Sequence, residues 1–168
     1  MERLWTPWRM EYIRAAQHET EGCFLCDEPA AGEDERYFIL ARGDAAYVVL
    51  NIYPYNPGHL LVAPYRHTAD LEDLRDDETL EMGRLLGRAV AALKEGMQPH
   101  GFNLGMNLSH MAGAGIPDHV HWHVVPRWGG DTNFMPILGE TRVLPELLED
   151  TYARLRPLFD APAGSPSG

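Results

Sequence analysis

Short runs rich in apolar residues recur along much of the chain. Their length, their composition and the turn-forming residues between them predict strands. Five strands are predicted, at residues 37–41, 46–51, 59–63, 102–108 and 119–125. The sequence Asn56-Pro57-Gly58 between the second and third is typical of a tight turn, which favours antiparallel pairing of those two strands.

A different spacing separates the third predicted strand from the fourth. Apolar residues recur every three or four positions over residues 82–97, as on one face of a helix. Asp76 or Asp77 is suited to cap the start of this helix. Gly83 and Gly87 weaken it, and we interpret them as positions of close packing.

The order of elements predicts an α+β domain built on an antiparallel sheet of about five strands. A shorter C-terminal helix, from position 144 or 145 to about 158, is predicted to cover one side. We interpret residues 1–160 as a single domain that opens with an arm (1–20) and a Cys-x-x-Cys knuckle (21–28). The Ala/Pro/Gly/Ser tail at 161–168 is predicted to be disordered.

The last predicted strand carries three histidines. His119, His121 and His123 alternate with apolar residues, so a strand would bury the apolar side chains and gather the imidazoles on its other face. Imidazole titrates near neutral pH and is both a nucleophile and a metal ligand. Three functions are open for this run. They are a set of satisfied polar groups, a mononuclear zinc or copper site, and nucleophilic attack on phosphorus by the middle histidine.

Charge and composition narrow the functions further. The net charge of −11 argues against binding to nucleic acid or to an anionic membrane, since both need basic patches. We interpret the acidic residues of positions 70–81 as a solvated helix start, and Arg127 as a positive charge available to a phosphate group. The sequence has neither an apolar run of roughly 20 residues nor an N-terminal signal core, so we expect a cytoplasmic protein without a membrane partner.

Several residues outside the histidine run are candidates for substrate contacts. Asn51 ends the second strand and is placed for a ribose hydroxyl, with capping of the following turn as the alternative. His59 opens the third strand and could orient the histidine array. The loop Gly113-Ala114-Gly115 offers backbone amides to a phosphate, and Trp128 could stack on a base or pack in an interface.

Cys23 and Cys26 form a second candidate site. In a chain expected in the cytoplasm, a Cys-x-x-Cys pair favours metal ligands or redox thiols over a structural disulfide. Metal ligands are favoured over a redox pair, because nothing near the cysteines resembles a thioredoxin-like βαβ unit. A zinc site needs two further ligands. His67, just past the third strand, and one histidine of the run could complete a Cys₂His₂ set.

Together these motifs resemble the histidine triad superfamily of nucleotidyl hydrolases and transferases. The resemblance covers roughly residues 37–127 and rests on His119-Val-His121-Trp-His123-Val-Val, on Asn51 and on Pro57-Gly58-His59-Leu-Leu-Val-Ala-Pro64. Residues 122–128, the Gly-Gly-Asp-Thr-Asn-Phe that follows and the opening Leu4-Trp5-Thr-Pro-Trp8-Arg9-Met10 are most similar to the bacterial diadenosine tetraphosphate phosphorylase-like branch.

The resemblance implies a role for each candidate residue. These roles are nucleophile for His121, phosphate contact for His123, ribose contact for Asn51, a place near the phosphate bridge for Asn107, and support of the geometry for His119 and His59. Zinc-bearing relatives imply a structural zinc ion held by the matching residues, which are Cys23, Cys26, His67 and His119. The family also implies a homodimer or a larger homo-oligomer.

The implied reaction is cleavage of a dinucleoside polyphosphate through a nucleotidyl-His121 intermediate, with phosphate or water as the acceptor. Many relatives have Gly-Gln-Ser or Gly-Gln-Thr before the triad, where this chain has Gly113-Ala114-Gly115-Ile116. Backbone amides would therefore replace a side-chain amide and hydroxyl. The alternatives are a nucleotide-binding module with incidental turnover, an adenosine phosphoramidate hydrolase, and a metal-dependent hydrolase with Asp118 as its base.

Overall fold

A computed structural model of the chain describes residues 22–112, 114–131 and 146–160. The predicted N-terminal arm, Gly113, the predicted start of the C-terminal helix and the predicted disordered tail lie outside these ranges. The helices and strands within them build one sheet with helices on both faces.

The five strands are all antiparallel to their neighbours. They are β1 (Ile39–Arg42), β2 (Ala46–Leu50), β3 (Leu60–Pro64), β4 (Gly101–Gly105) and β5 (Trp122–Arg127), and their order across the sheet is β1-β2-β3-β5-β4. The predicted pairing of the second and third strands is confirmed. Gly58 in the turn between them has a φ of +75°, and a Cβ there would lie 2.5 Å from the sulfur of Met97.

Among the described residues, three α-helices cover the sheet: α1 (Phe24–Ala31), α2 (Asp76–Met97) and α3 (Leu148–Asp160). Helices α2 and α3 pack on one face, where the main core includes Leu40, Val48, Leu60, Val62, Met82, Leu85, Leu93, Val124 and Leu155. The predicted α+β class, with one long helix and a C-terminal helix, is confirmed. No helix in the described part of the chain is both long and apolar enough to cross a membrane.

The opposite face of the sheet carries a buried apolar cluster on one half and a cavity beside His123 on the other. Leu25 of α1 packs there against a smaller buried cluster on β1–β3, which includes Ile39, Tyr47 and Leu61. The Tyr47 hydroxyl donates a hydrogen bond to the Leu25 carbonyl at 2.7 Å, which fixes α1 against this half of the sheet. The β5–β4 half of the same face carries His123 and an open cavity.

The histidine strand begins later than the sequence predicts. Strand β3 pairs with β5 only as far as Val62 opposite Trp122, so residues 119–121 precede the strand. The Val120 N–H donates instead to the carbonyl of Thr68 at 2.7 Å. The fourth strand also ends early, at Gly105, which lies opposite His123. The predicted alternation therefore holds within β5, whereas His119 and His121 are positioned by other contacts.

Most acidic residues at and just before the start of α2 are exposed, as the sequence predicts, but Glu78 is buried. Asp76 and Asp77 lie in the first turn, and the cap residue is Arg75, whose N–H donates to the Glu78 carboxylate at 2.9 Å. Glu78 is fully buried, and its two oxygens accept hydrogen bonds from Arg66 at 2.9 and 2.7 Å. This buried pair ties the segment after β3 to the start of the helix.

Glu81, one turn further along α2, is also a structural group. Its carboxylate accepts the backbone N–H groups of residues 44–46, in the turn that joins β1 to β2. A Cβ at Gly43 would lie 2.4 Å from that carboxyl group, so glycine leaves room for the contact. An acidic residue that sequence analysis assigns to solvent thus fastens the first hairpin to the long helix.

The prediction that Gly83 and Gly87 mark close packing is wrong for the described chain. Apart from the neighbouring residues and the backbone of α2 itself, no heavy atom of the described residues lies within 4 Å of the position that a Cβ would occupy at either glycine, because both lie on the exposed face of α2. The packed face is formed instead by Met82, Leu85 and Ala89.

The Arg66–Glu78 pair leads to a prediction about acid stability. Hydrogen bonds from Arg66 and the Arg75 N–H lower the pKa of Glu78 from 4.5 to about 2, against the opposing effect of burial. A depressed folded-state pKa stabilises the fold fully above the unfolded value, and this contribution is lost as the pH falls from 4.5 through 2. We expect Glu78→Gln to lower the free energy of unfolding at pH 7 by about 2 kcal/mol.

Urea unfolding at a series of pH values measures this effect. The difference between wild type and Glu78→Gln should shrink as the pH falls below about 4.5. Asp77→Asn serves as the matched control, because Asp77 is exposed and pairs with Arg75 only at 3.5 Å. A difference for Glu78→Gln that stays constant down to about pH 2 would contradict the assignment.

Candidate functional site

The structure places the predicted site residues in two adjacent groups. The members are Cys23, Cys26, His67 and His119 in the first, and His59, His121 and His123 in the second. The ring centroid of His119 is 5.2 Å from that of His67, whereas the ring of His121 is 4.9 Å from that of His123. The expected single array of three histidines is therefore corrected, because His119 lies before β5 and its ring joins the cysteines.

The first group has the composition and spacing of a metal site. One potential ligand atom from each of its four residues lies within 4.8 Å of the others. Cys23 Sγ is 3.3 Å from His119 Nδ1, and Cys26 Sγ is 3.4 Å from His67 Nδ1 and from His119 Nδ1. Sulfur and nitrogen ligands of tetrahedral zinc are about 3.6 Å apart at ordinary bond lengths. The donor set thus fits zinc in both chemistry and size.

Backbone groups orient His119 toward this site. Its Nε2 donates to the carbonyl of Pro64, the last residue of β3, at 2.9 Å, which leaves Nδ1 as the ligand atom. Burial lowers the pKa of His119 to about 4, so the imidazole is neutral, as metal binding requires. Burial and the neighbouring Cys26 raise the pKa of Cys23 to about 11. A cation between the two sulfurs would reverse this shift.

Within the ranges that the structure describes, this is the one group of three or more His, Cys, Asp or Glu side chains close enough to share a metal ion. His119 is its one member from the histidine run. The geometry therefore does not support the alternative in which the run as a whole holds a catalytic metal.

His121 is buried and held by its own segment. Its Nδ1 donates to the carbonyl of His119 at 2.8 Å, which leaves the lone pair of the neutral ring on Nε2. This acceptor lies two residues earlier in the same segment of the chain and not in a neighbouring strand. Burial lowers the pKa of His121, although the hydrogen bond to the carbonyl opposes this effect. The ring is therefore kept in its nucleophilic form.

His59 and His123 form a hydrogen-bonded pair beside His121. His59 Nε2 is 2.9 Å from His123 Nδ1, as expected for a residue that orients the site. On its other side, His59 Nδ1 accepts the Tyr55 N–H at 3.0 Å and lies 3.2 Å from Asn51 Nδ2. The ring of Tyr55 packs over His59 with centroids 4.7 Å apart.

Asn51 makes the turn-capping contact that its sequence position allows and leaves the ribose contact open. Its Oδ1 accepts the backbone N–H of Tyr53 at 2.9 Å, so it caps the turn after β2. The same side chain reaches His59 and is partly exposed, which is compatible with the predicted ribose contact.

A cavity of about 310 Å³ opens beside His123, over β5 and β4. Its wall includes Asn107, the predicted phosphate-bridge residue, together with Tyr55, Asn103 and Arg127. Trp128, the predicted base-stacking residue, is half-buried just after β5 and is not part of this wall. The cavity thus extends from His123 to β4, the strand at the edge of the sheet.

Arg127 is not the unpaired positive charge that the sequence suggests. It donates to both oxygens of Asp131, at 2.5 and 2.8 Å, and to Asn103 Oδ1 at 2.7 Å. Asp131 also accepts a hydrogen bond from Asn56 at 3.0 Å, and Arg127 holds the pKa of Asp131 far below its usual range. This network is not predictable from the sequence, because Asn56, Asn103 and the Arg127–Asp131 pair come from three separate segments.

The loop before the histidines offers fewer amides than predicted. The Ala114 N–H donates to the carbonyl of Ser109 at 3.3 Å, and Ala114 is buried. This amide is therefore already engaged. Gly115 is half-buried, and Gly113 lies outside the described residues.

The site combines the ring of His121, the His59–His123 pair and a separate Cys₂His₂ group on a five-stranded antiparallel sheet. This combination is that of a histidine triad protein. The HIT domain matches this sequence over residues 33–130. The chain belongs to the HIT domain family, as the sequence predicts.

Relatives and solved structures agree with this assignment. The protein named AP-4-A phosphorylase of Mycobacterium tuberculosis (strain H37Rv) is 45% identical over 157 residues, which cover 90% of this chain and 80% of the relative. This match confirms the predicted branch. The bifunctional bis(5'-adenosyl)-triphosphatase/adenylylsulfatase FHIT of Arabidopsis thaliana is 33% identical over 86 residues, which cover 51% of this chain and 47% of that protein.

Among solved structures, a Zn-bound histidine triad family protein from Mycobacterium smegmatis has a TM-score of 0.67 and 26% identity, over 83% of this chain and 94% of that one.

Proposed function

We propose that this protein cleaves dinucleoside polyphosphates of the diadenosine tetraphosphate type by transferring a nucleotidyl group through His121. The observation that carries the proposal is the hydrogen bond from His121 Nδ1 to the His119 carbonyl, which leaves Nε2 of a buried, neutral ring as the attacking atom. The 45% identical relative named AP-4-A phosphorylase supports the choice of substrate.

In the first step, His121 Nε2 attacks the α-phosphorus of one nucleotide. A nitrogen–phosphorus bond forms while the bond from phosphorus to the bridging oxygen breaks. From diadenosine tetraphosphate this gives adenylyl-His121, and ATP leaves with the bonding electron pair on its terminal oxygen. The emerging charge on His121 is stabilised because Nδ1–H already donates to the His119 carbonyl.

In the second step, an oxygen of inorganic phosphate or of water attacks the same phosphorus. The nitrogen–phosphorus bond breaks, its electron pair returns to His121 Nε2, and the acceptor loses a proton to solvent. Phosphate as the acceptor yields ADP, and water yields AMP. We propose phosphate as the preferred acceptor, since the similar protein of M. tuberculosis is named a phosphorylase.

Other residues bind the substrate around this reaction. We assign His123 to the oxygens on the attacked phosphorus, Asn107 to the phosphate bridge and Asn51 to the ribose. The cavity beside His123 and Asn107 is our candidate for the part of the substrate that leaves. His59 holds His123 in place through their 2.9 Å contact.

We propose that Cys23, Cys26, His67 and His119 hold a structural zinc ion. The four side chains would fill every position of a tetrahedral ion, so the metal would brace the fold and offer no open position to substrate or water. The Zn-bound relative from M. smegmatis supports the choice of metal. A single domain over residues 1–160, a homodimer or larger homo-oligomer, and a place in the cytoplasm are further parts of the proposal.

Product analysis tests the proposed reaction. We expect purified protein and diadenosine tetraphosphate to yield ADP and ATP only when inorganic phosphate is present. AMP and ATP without phosphate would instead assign water as the acceptor. No products in either mixture, together with tight nucleotide binding, would favour a binding module and contradict the proposal.

Substitution of the nucleophile tests the covalent route. We expect His121→Gln and His121→Ala to lower turnover by about 1,000-fold or more while nucleotide affinity changes little. His100→Gln is the matched control, since His100 accepts a hydrogen bond from Gly129 away from the cavity. Turnover of His121→Gln within tenfold of wild type would rule out the intermediate.

Removal of the metal ligands tests the zinc assignment. We expect Cys23→Ser combined with Cys26→Ser to reduce bound zinc and to lower the melting temperature by about 5–10 °C, because metal binding contributes folding energy. A strong chelator should lower the melting temperature of wild type but not that of the double variant. Unchanged stability of the double variant would remove the structural role.

A further inference from the structure

We propose that Asn51 and the backbone of Tyr55 set the tautomer of His123, acting through His59, so that His123 presents an N–H and not a lone pair to the substrate phosphate. Asn51 would then be a positioning residue as well as a ribose contact. The kinetic consequence rests on the proposed function, whereas the tautomer is a property of the protein without substrate.

The first link in this chain is the orientation of the Asn51 amide. A backbone N–H can only donate, and the Tyr53 N–H lies 2.9 Å from one end of the amide, so that end is the oxygen. The other end, Nδ2, therefore faces His59 Nδ1 at 3.2 Å and donates to it. The turn after β2 thus decides which way the amide points.

The second link is the protonation of His59. Its Nδ1 accepts from Asn51 and also from the Tyr55 N–H at 3.0 Å, so Nδ1 carries no proton. The single proton of the neutral ring is then on Nε2. His59 is fully buried, so its ring is shielded from solvent.

The third link passes the arrangement to His123. His59 Nε2–H donates to His123 Nδ1 at 2.9 Å, so the proton of neutral His123 is on Nε2. His121 has the opposite tautomer, with its proton on Nδ1 and its lone pair on Nε2. Two neighbouring histidines are thereby given different tasks. His121 attacks phosphorus with a lone pair, and His123 donates a hydrogen bond to the oxygens that gain negative charge.

Asn51→Asp reverses the first link. A carboxylate oxygen would face the lone pair of His59 Nδ1, and the repulsion is relieved if a proton moves to Nδ1. The charge-assisted hydrogen bond from Nδ1–H to the carboxylate would then outweigh the neutral hydrogen bond that the Tyr55 N–H loses. His59 Nε2 would then become an acceptor, and His123 would place its proton on Nδ1 and a lone pair on Nε2. Asn51→Ala is the matched control, because it removes the ribose contact but leaves the Tyr55 N–H to hold the original tautomer.

Nitrogen-15 NMR of the histidine rings in substrate-free protein measures the tautomers directly. We expect protonated Nε2 and unprotonated Nδ1 on both His59 and His123 in wild type and in Asn51→Ala, and the reverse in Asn51→Asp. His59→Gln and His123→Gln assign the signals. A proton on Nδ1 of either ring in the wild-type protein would overturn the proposal, whether or not the protein cleaves any polyphosphate.

Steady-state kinetics test the consequence for turnover. We expect Asn51→Asp to lower kcat by about 100-fold, the effect of losing one donor to the transition state. We expect Asn51→Ala to act mainly on KM, raising it by about tenfold through the lost ribose hydrogen bond. Equal losses of kcat in the two variants, or a loss in Asn51→Asp without a change of tautomer, would contradict the assigned role.

Discussion

The two groups of the site both depend on where β5 stops pairing with β3. The ladder ends at Val62 opposite Trp122, so the backbone of residues 119–121 is free to make other hydrogen bonds. Val120 then bonds to Thr68, the ring of His119 bonds to Pro64, and the His119 carbonyl accepts the ring of His121. If pairing continued by three residues, these backbone groups would belong to the sheet and the histidines would form one row on one face.

Much of this arrangement is predictable from sequence, because hydrophobic periodicity records burial. The short apolar runs of β1–β3, the turn at Gly58 and the apolar face of α2 give the sheet, the pairing and the long helix. The sequence motifs also predict that the two cysteines and two of the histidines lie together. The end of a ladder is different, because it depends on which distant carbonyl competes for an N–H. No local sequence pattern around Val120 predicts that its N–H bonds to the carbonyl of Thr68.

Charged residues show the same distinction. Glu78 and Glu81 lie in an acidic stretch and look like solvent-facing groups, yet one is buried against Arg66 and the other holds the backbone of residues 44–46. Arg127 looks like a phosphate ligand, yet it is paired with Asp131. The partners of Glu78 and Glu81 are distant in the sequence, and Asp131 meets Arg127 only because the chain turns after β5. The sequence therefore shows that a residue is charged, but the fold determines which group it pairs with.

His119 connects the two groups of the site through a single residue. Its imidazole faces Cys23 and Cys26, while its carbonyl, part of the peptide unit that follows, orients the ring of His121. Strain at the proposed zinc site would therefore reach the proposed nucleophile through one peptide unit, so metal content and the reactivity of His121 are expected to vary together.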